Sequence, residues 1–151
     1  MLIFKPYPLL LTVALSLVVI PLKAAEYVPW TQQNFAIENS LSGSAGDPDS
    51  GLQLVTLKSK GNCIACHRLP IKDLAFQGTI GPELTGVGKR LTVPQIRLRV
   101  VDEKQINPYT IMPGYHADPQ RFNRVSERYR GEAILSAQEI EDIVAYLGSL
   151  K

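Results

Sequence analysis

The alternation of apolar and polar residues along the chain predicts short helices, and the clearest of them lies near the C-terminus. Four apolar residues recur at the i, i+3, i+4, i+7 spacing of one helical face: Ile140, Ile143, Val144 and Leu147. Ser136 and Glu139 have the spacing of a capping box, in which each side chain bonds the backbone N–H of the other residue. We therefore expect an amphipathic helix that begins directly after Ser136.

A first helix is predicted just before the middle of the chain. Asp47 is a suitable N-cap for a helix that opens with Pro48 and runs to about residue 58. Its expected apolar face consists of Leu52, Val55 and, less regularly, Leu54. Gly61 is expected to end this helix, because glycine readily adopts the conformation that follows a last helical turn.

Two more helices are expected between these elements. Thr92 and Gln95 form a second capping box, with Pro94 in the first turn of a helix that extends to about Glu103. A shorter helix is predicted over residues 119–129, where three apolar residues share one face: Phe122, Val125 and Tyr129.

Long loops separate the predicted helices. Residues 78–88 contain four glycines and a proline, and residues 107–119 contain three prolines and a glycine. No segment shows the sustained alternation typical of a β-strand. The pattern predicts an all-α domain of short helices and long Gly/Pro-rich loops, with little protein core. Long loops are uncommon in a compact domain unless they have a function. A large apolar ligand at the centre, around which the loops fold, would explain them.

The first 25 residues have the pattern of a secretory signal peptide. Lys5 precedes an apolar run over residues 9–20, and the small residues Ala24 and Ala25 follow. The run of 12 residues is shorter than the roughly 20 that span a bilayer. We expect residues 1–25 to be cleaved, which leaves a periplasmic protein without a membrane span. A retained membrane anchor is the alternative.

The segment after the signal lacks periodicity but is rich in large apolar groups. Residues 26–46 include Tyr27, Trp30, Phe35 and Ile37, whereas a disordered tail is usually poor in such side chains. We interpret it as an extended arm that is anchored either on its own domain or on a partner. Residues 47–151 then form the main domain.

Charge excludes one class of partner. Of the 16 basic residues, the signal contains Lys5 and Lys23, and it contains no acid. Processing therefore leaves 14 basic residues against 14 acidic ones, and this near-neutral balance does not predict nucleic-acid binding.

Both cysteines of the chain lie in the sequence "CIACH", where Cys63, Cys66 and His67 form the C-x-x-C-H pattern of covalent haem c attachment. Two thiols one turn apart can bond one edge of a porphyrin, and the adjacent imidazole is then carried under the ring. In an oxidising compartment a disulfide is a competing interpretation. A thioredoxin-like redox pair, or a zinc site that adds His116, also competes. The exported, loop-rich, helical context favours one haem c.

A haem that transfers electrons usually has a second axial ligand, and few residues qualify. Met112 lies in the loop "PYTIMPGYH" and is the preferred candidate, while His116 is the rival and an open position is the third option. A carbonyl often orients a ligating imidazole, and the Gly-Pro corner at Pro82 is suited to present one to His67. Arg90 is a candidate partner for a haem propionate.

The order of these motifs resembles the class I cytochromes c: "CIACH", then "GPELTGVGKR", then "MPGYH", then the terminal "AQEIEDIVAYLGSLK". More narrowly, "KGNCIACHRLP", "INPYTIMPGYH" and "YRGEAILSAQEIEDIVAYL" resemble the SoxX family, the small monohaem subunits of the SoxAX cytochromes of bacterial sulfur oxidation. The resemblance covers essentially all of residues 26–151. It implies a small class I cytochrome c fold, with Cys63 and Cys66 as thioether positions and His67 and Met112 as axial ligands.

The same resemblance implies a place in an enzyme complex. The partner SoxA carries the catalytic haem and couples thiosulfate oxidatively to a cysteine of the carrier protein SoxYZ. The SoxX subunit passes the electrons to a small soluble cytochrome c. This chain would thus be the non-catalytic electron-transfer subunit of an L-cysteine S-thiosulfotransferase, with no catalytic residue of its own.

Two other functions are compatible with the motifs. The first is a free-standing soluble monohaem cytochrome c that shuttles electrons between respiratory complexes. The second is a sensor or ligand-binding haem domain in which Met112 leaves the iron.

Overall fold

A computed structural model describes residues 25–125, 127 and 130–151. The predicted signal peptide, apart from Ala25, lies outside the described residues. Four α-helices occur in the described part of the chain: α1 (Pro48–Thr56), α2 (Val87–Arg90), α3 (Val93–Asp102) and α4 (Ala137–Ser149). Short 3-10 turns occur at Cys63–Ala65, Glu103–Gln105 and Pro119–Arg121.

Strands are absent from the described residues, as the sequence predicted, and an isolated bridge pairs Gln33 with Ala36. Within the same residues, no helix has the length and apolar character needed to cross a bilayer.

Both predicted capping boxes are present. Ser136 Oγ accepts from the Glu139 N–H at 3.2 Å, and Glu139 Oε2 accepts from the Ser136 N–H at 2.9 Å. Thr92 and Gln95 make the equivalent pair of bonds at the start of α3. These bonds satisfy backbone donors that have no partner inside a helix, and they fix where α3 and α4 begin.

The helix α4 packs against α1 and α3 to form the centre of the molecule. The four apolar residues predicted for its inner face are all buried: Ile140, Ile143, Val144 and Leu147. From α1, Val55 is fully buried, whereas Leu52 is 36% exposed, so its assignment to the inner face was wrong. Gly51 takes the inner position instead, because a side chain there would collide with the Asp142 carbonyl of α4.

Two further expectations near these helices need correction. The helix α1 ends at Thr56, where the Leu57 N–H closes the last turn on the Gln53 carbonyl, so Gly61 does not terminate it. The loop predicted over residues 78–88 ends two residues early, because Val87 begins α2.

The core is larger than the sequence suggested. One connected cluster of buried apolar residues joins the three longer helices to the loops. Besides α4, it draws on α3 through Ile96, Leu98, Val100 and Val101. The expectation of little protein core was therefore wrong for α1, α3 and α4.

The helix predicted over residues 119–129 is not formed in the described residues. A 3-10 turn spans Pro119–Arg121, and Phe122 follows it in an extended conformation with 48% of its surface exposed. Arg121 donates from Nη1 to Asp102 Oδ2 at 3.1 Å, which fixes the turn against the end of α3. Tyr129, expected to share one face of that helix with Phe122 and Val125, lies outside the described residues.

The arm over residues 26–46 packs on its own domain. Ile37 is 3% exposed, and its N–H donates to the Pro94 carbonyl at 3.1 Å. Arg97 of α3 donates to the Ile37 carbonyl at 2.7 Å and forms a buried two-pronged ion pair with Glu141 of α4. Glu141 also accepts from the Leu41 N–H at 2.9 Å, so one buried pair holds the arm at two points.

Candidate functional site

The C-x-x-C-H motif forms a tight turn that packs against α1. Asn62 adopts a left-handed conformation, with φ at 46°, and starts the 3-10 turn Cys63–Ala65. The N–H groups of Cys66 and His67 both donate to the Cys63 carbonyl, at 3.1 and 2.8 Å. Because one turn holds the motif, both thiols and the imidazole extend from a single compact segment. The two cysteines are free thiols, not a disulfide.

The Cys63 thiol lies in an apolar environment. Burial raises its pKa to about 11, because the thiolate loses hydration that the protein does not replace. At neutral pH Cys63 is therefore an uncharged thiol. This environment suits a cysteine that becomes a thioether, and it disfavours the low-pKa thiolate typical of redox-active C-x-x-C pairs.

His67 is oriented by the Gly-Pro corner that the sequence indicated. Its Nδ1 lies 2.7 Å from the Pro82 carbonyl oxygen. Because a carbonyl can only accept, Nδ1 carries the proton and the lone pair is on Nε2. Nε2 has no hydrogen-bond partner among the described residues. An imidazole held in this way presents a ligating nitrogen in a fixed direction.

Gly81 shapes the pocket of this imidazole. A Cβ at this position would overlap the His67 ring, so the backbone can approach the ring only because residue 81 has no side chain. Backbone bonds then fasten the loop to the motif. The N–H groups of Gly78 and Gly81 donate to the carbonyls of Ile64 and Cys66, each at 2.8 Å.

Arg90 supports the same loop. Its Nη1 donates to the Thr85 carbonyl at 2.5 Å and its Nη2 donates to the Glu83 carbonyl at 3.0 Å. The sequence suggested a propionate partner and did not indicate this brace. Arg90 therefore stabilises the segment that contains Pro82, the acceptor of the His67 proton.

Met112 lies in the second loop, between the end of α3 and the turn at Pro119. Its side chain is half-buried and packs against the core cluster. Its N–H donates to Thr110 Oγ1 at 3.2 Å, and the Thr110 carbonyl accepts from Lys104 Nζ at 2.8 Å. The thioether is thus carried on a braced loop and not on a helix.

A buried hydrogen bond joins the two loops. Tyr115, three residues after Met112, donates from its hydroxyl to the Gly61 carbonyl at 2.6 Å. Gly61 precedes Cys63 by two residues. Burial raises the pKa of the Tyr115 hydroxyl, so it remains protonated and able to donate.

His116 is not available as a ligand. It is fully buried, with Nε2 accepting from the Val28 N–H at 3.0 Å and Nδ1 donating to the Leu135 carbonyl at 2.7 Å. Tyr27 stacks on its ring at 5.3 Å, and the His116 carbonyl accepts from Trp30 Nε1 at 3.0 Å. His116 therefore anchors the arm, and neither a bis-histidine site nor a zinc site that includes it can form in this fold. No metal-binding cluster of three or more His, Cys, Asp or Glu side chains occurs in the described residues.

Both loops carry exposed apolar side chains. Phe76 and Ile80, on the His67 side, are 102% and 70% exposed, and Tyr109 and Ile111, beside Met112, are 93% and 77% exposed. Such side chains are stabilised when an apolar surface covers them. Together with the free thiols, the oriented imidazole and the thioether, these exposed apolar side chains fit a flat apolar metal cofactor.

Comparison with known proteins agrees with this geometry. A family model described as cytochrome c matches residues 51–151. One chain of the crystal structure of SoxXA from P. pantotrophus matches with 36% sequence identity and a TM-score of 0.75, over 85% of this chain and 99% of that one.

A curated relative is an uncharacterized lipoprotein of Aquifex aeolicus (strain VF5). It is 34% identical over an alignment of 95 positions that covers 58% of this chain and 36% of that protein. The present chain thus spans little more than a third of the length of this relative.

Proposed function

The chain belongs to the cytochrome c family, has a small class I cytochrome c fold and carries one covalently attached haem c; from this premise we propose that it is the electron-accepting, SoxX-like subunit of a heterodimeric thiosulfate-oxidising cytochrome. The observation that carries the proposal is the match to a SoxXA chain over 99% of that chain at 36% identity. A generic carrier would be expected to share the haem-binding domain alone. A match over 85% of this chain cannot fit within residues 51–151, so it also includes residues before 51.

Four residues would hold the cofactor. Cys63 and Cys66 would attach it through thioethers, His67 would supply a nitrogen ligand and Met112 would supply a sulfur ligand. The haem iron would contribute reversible one-electron redox chemistry. His67 contributes an Nε2 lone pair, kept in place because Nδ1 donates to Pro82. A thioether ligand favours a higher reduction potential than a second histidine does.

Two protein ligands would have a functional consequence. If His67 and Met112 both bound the iron, no coordination position would be left for a substrate, and the chain would transfer electrons without transforming a substrate itself. In the described residues, Cys63 and Cys66 are both within the haem motif, and no third cysteine exists in the sequence to form a covalent intermediate. The bond-forming chemistry therefore belongs to a SoxA-like haem subunit.

The number of electrons released in the reaction is consistent with bond formation on a SoxA-like subunit and electron transfer by this chain. Joining thiosulfate to a carrier cysteine forms one S–S bond, breaks the S–H bond of the thiol, and releases one proton and two electrons. A subunit with a single haem accepts these electrons one at a time and must be reoxidised by a small soluble cytochrome c. Rapid reoxidation is thus a requirement of the proposed role.

We also propose that the protein works in the periplasm. Residues 1–25 would be the cleaved signal, residues 26–46 the arm and residues 47–151 the cytochrome c domain. The likeness to SoxXA and to a protein described as a lipoprotein, which is an exported class, supports export.

The test uses the tagged full-length holoprotein, isolated from cells grown on thiosulfate. We expect it to co-purify with a second c-type haem protein, and the isolated pair to reduce the haem of this chain when thiosulfate and a carrier with a free cysteine are added. A carrier with that cysteine blocked by alkylation is the matched control and should give no reduction. A monomer that ignores thiosulfate but is oxidised rapidly by a terminal oxidase would contradict the proposal and favour the free-standing shuttle.

A further inference from the structure

The hydroxyl of Tyr115 occupies a special place in the site. Among the described residues, its bond to the Gly61 carbonyl is the one direct hydrogen bond between the Met112 loop, residues 107–117, and the haem-attachment segment, residues 61–67. The remaining bonds that the Met112 loop makes to residues outside itself go to α3, to the turn after it, to the arm or to Leu135. The two loops are otherwise held together through their packing on the core.

Gly61, whose carbonyl accepts this bond, is held in place by its neighbours. Gly61 is buried, and a Cβ there would lie 2.8 Å from the Leu54 carbonyl oxygen, 3.4 Å from Cys63 Sγ and 3.5 Å from Ile143 Cδ1. The residue is therefore enclosed by α1, α4 and the first cysteine. Because Gly61 is two residues before Cys63 and lies close to its sulfur, a bond to the Gly61 carbonyl also restrains the position of Cys63.

Tyr115, which donates this bond, is also held in place by its neighbours. The Tyr115 side chain is 8% exposed and belongs to the core cluster, and its own carbonyl accepts from the Leu135 N–H at 2.9 Å. The next residue, His116, donates its N–H to the Val101 carbonyl at 3.1 Å. The loop is thus fixed at Tyr115 and His116, while Met112 lies three residues before this fixed point.

We propose that Tyr115 is a positioning residue, whose hydroxyl fixes the spacing between the Met112 loop and the Cys63–His67 segment and so maintains thioether ligation. The inference rests on the axial assignment in the proposed function. Without the hydroxyl, the buried Gly61 carbonyl loses its only hydrogen-bond donor among the described residues. An unsatisfied buried carbonyl favours local rearrangement, which would allow the Met112 loop to open.

The test compares ferric holoprotein of three kinds: wild type, Tyr115→Phe and Tyr146→Phe. Phenylalanine keeps the ring and removes the hydroxyl alone. Tyr146 is a matched control, since it is also 8% exposed but its hydroxyl makes no hydrogen bond to a described residue. Imidazole is the probe, because it replaces a weakly held thioether, and its binding is followed by loss of the near-infrared thioether-to-iron band.

We expect Tyr115→Phe to bind imidazole about tenfold more tightly than wild type, which corresponds to about 1.4 kcal/mol. Tyr146→Phe should stay within about twofold of wild type. Equal imidazole affinity in Tyr115→Phe and wild type would overturn the positioning role while leaving the proposed function intact. Absence of the near-infrared band from wild type would overturn both the Met112 assignment and the role of Tyr115.

A second measurement does not depend on the variant. In wild-type holoprotein saturated with imidazole, amide hydrogen exchange should accelerate over residues 109–112, while the amides of His67 and His116 stay protected. Acceleration that extends through both histidines would mean that Tyr115 does not limit the opening, and it would contradict the proposal.

Discussion

The helices α1, α3 and α4 and the two ligand-bearing loops, residues 61–86 and 107–117, are stabilised in different ways. The helices bury Val55, Leu98 and Ile140 completely and enclose an ion pair. The loops expose Phe76 and Tyr109 almost fully. The comparison indicates that protein contacts specify the helical frame, whereas the loops acquire much of their stability from the haem that they bind.

Removal of both haem attachment points should separate the two regions most strongly. Cys63→Ala with Cys66→Ala is expected to abolish covalent haem entirely, because no other cysteine is present. Amide hydrogen exchange should then become fast in both loops, while α4 keeps measurable protection through its contacts with α1 and α3. Wild-type chain produced without haem maturation is the control. Loss of protection in α4 to the same extent as in the loops would show that the frame depends on haem as well.

A variant that breaks the buried ion pair between Arg97 and Glu141 tests how much this pair stabilises the helices and the arm. Glu141→Ala leaves the Arg97 guanidinium, 7% exposed, without its carboxylate, and breaking a buried pair costs about 3–5 kcal/mol. We expect a loss of this size in the free energy of unfolding. We also expect a change in the fluorescence of Trp30, the only tryptophan, because the arm loses its bond from Leu41.

Glu103→Ala is the matched control for Glu141→Ala. Its partner Arg99 is 36% exposed, and a pair spaced i,i+4 on a helix surface contributes about 0.3–0.5 kcal/mol. Equal losses of stability in the two variants would contradict the view that the buried pair fastens the arm.

Gly81→Ala tests the loop side of the comparison. The added methyl group would overlap the His67 ring, and overpacking of this kind costs about 1–3 kcal/mol. We expect the His67–Pro82 contact to break, with a shifted visible spectrum and a lower thermal midpoint for the holoprotein. Gly148→Ala is the control, because its Cβ would lie at an ordinary 3.4 Å from Val93 Cγ2. An unchanged spectrum in Gly81→Ala would show that the ring tolerates displacement.

A small pH effect is expected at the start of α1. Hydrogen bonds from the Asp49 N–H and the Ser50 hydroxyl lower the pKa of Asp47 below its ordinary 3.8. A lowered pKa means that this stabilisation is fully present above pH 3.8 and is lost as pH falls through the folded-state pKa. Asp47→Asn should therefore show a shallower loss of helicity on acidification below that pH. Identical acid titrations of the two proteins would contradict this assignment.

The frame was largely predictable from the sequence because its signals are local. The capping boxes at Thr92 and Ser136 and the spacing of Ile140 and Leu147 all act within two helical turns. The predicted helix at 119–129 was wrong because three apolar residues at helical spacing are a weak signal. The contact of Arg121 with Asp102 instead favours a short turn.

The candidate site was predictable where a motif fixes the chemistry and unpredictable where partners are distant in sequence. The Gly-Pro corner suggested the His67–Pro82 bond, which spans 15 residues. The bond between the Val28 N–H and His116 Nε2 spans 88 residues. No local pattern in the sequence indicates that this bond engages the nitrogen with which His116 would otherwise bind iron. Likewise, the sequence gives no sign that Arg97 and Glu141 form a buried ion pair, because both occupy positions typical of exposed polar residues on a helix. Their burial depends on the arm, which packs over them.

The near-infrared spectrum of the ferric holoprotein distinguishes proposed ligation of the haem iron by His67 and Met112 from every alternative ligand set that lacks the thioether. Wild type and the control Ile111→Ala, which removes a neighbouring side chain that is 77% exposed, should show the weak thioether-to-iron band. Met112→Ala should lack it. A band retained in Met112→Ala, or absent from wild type, would contradict the account.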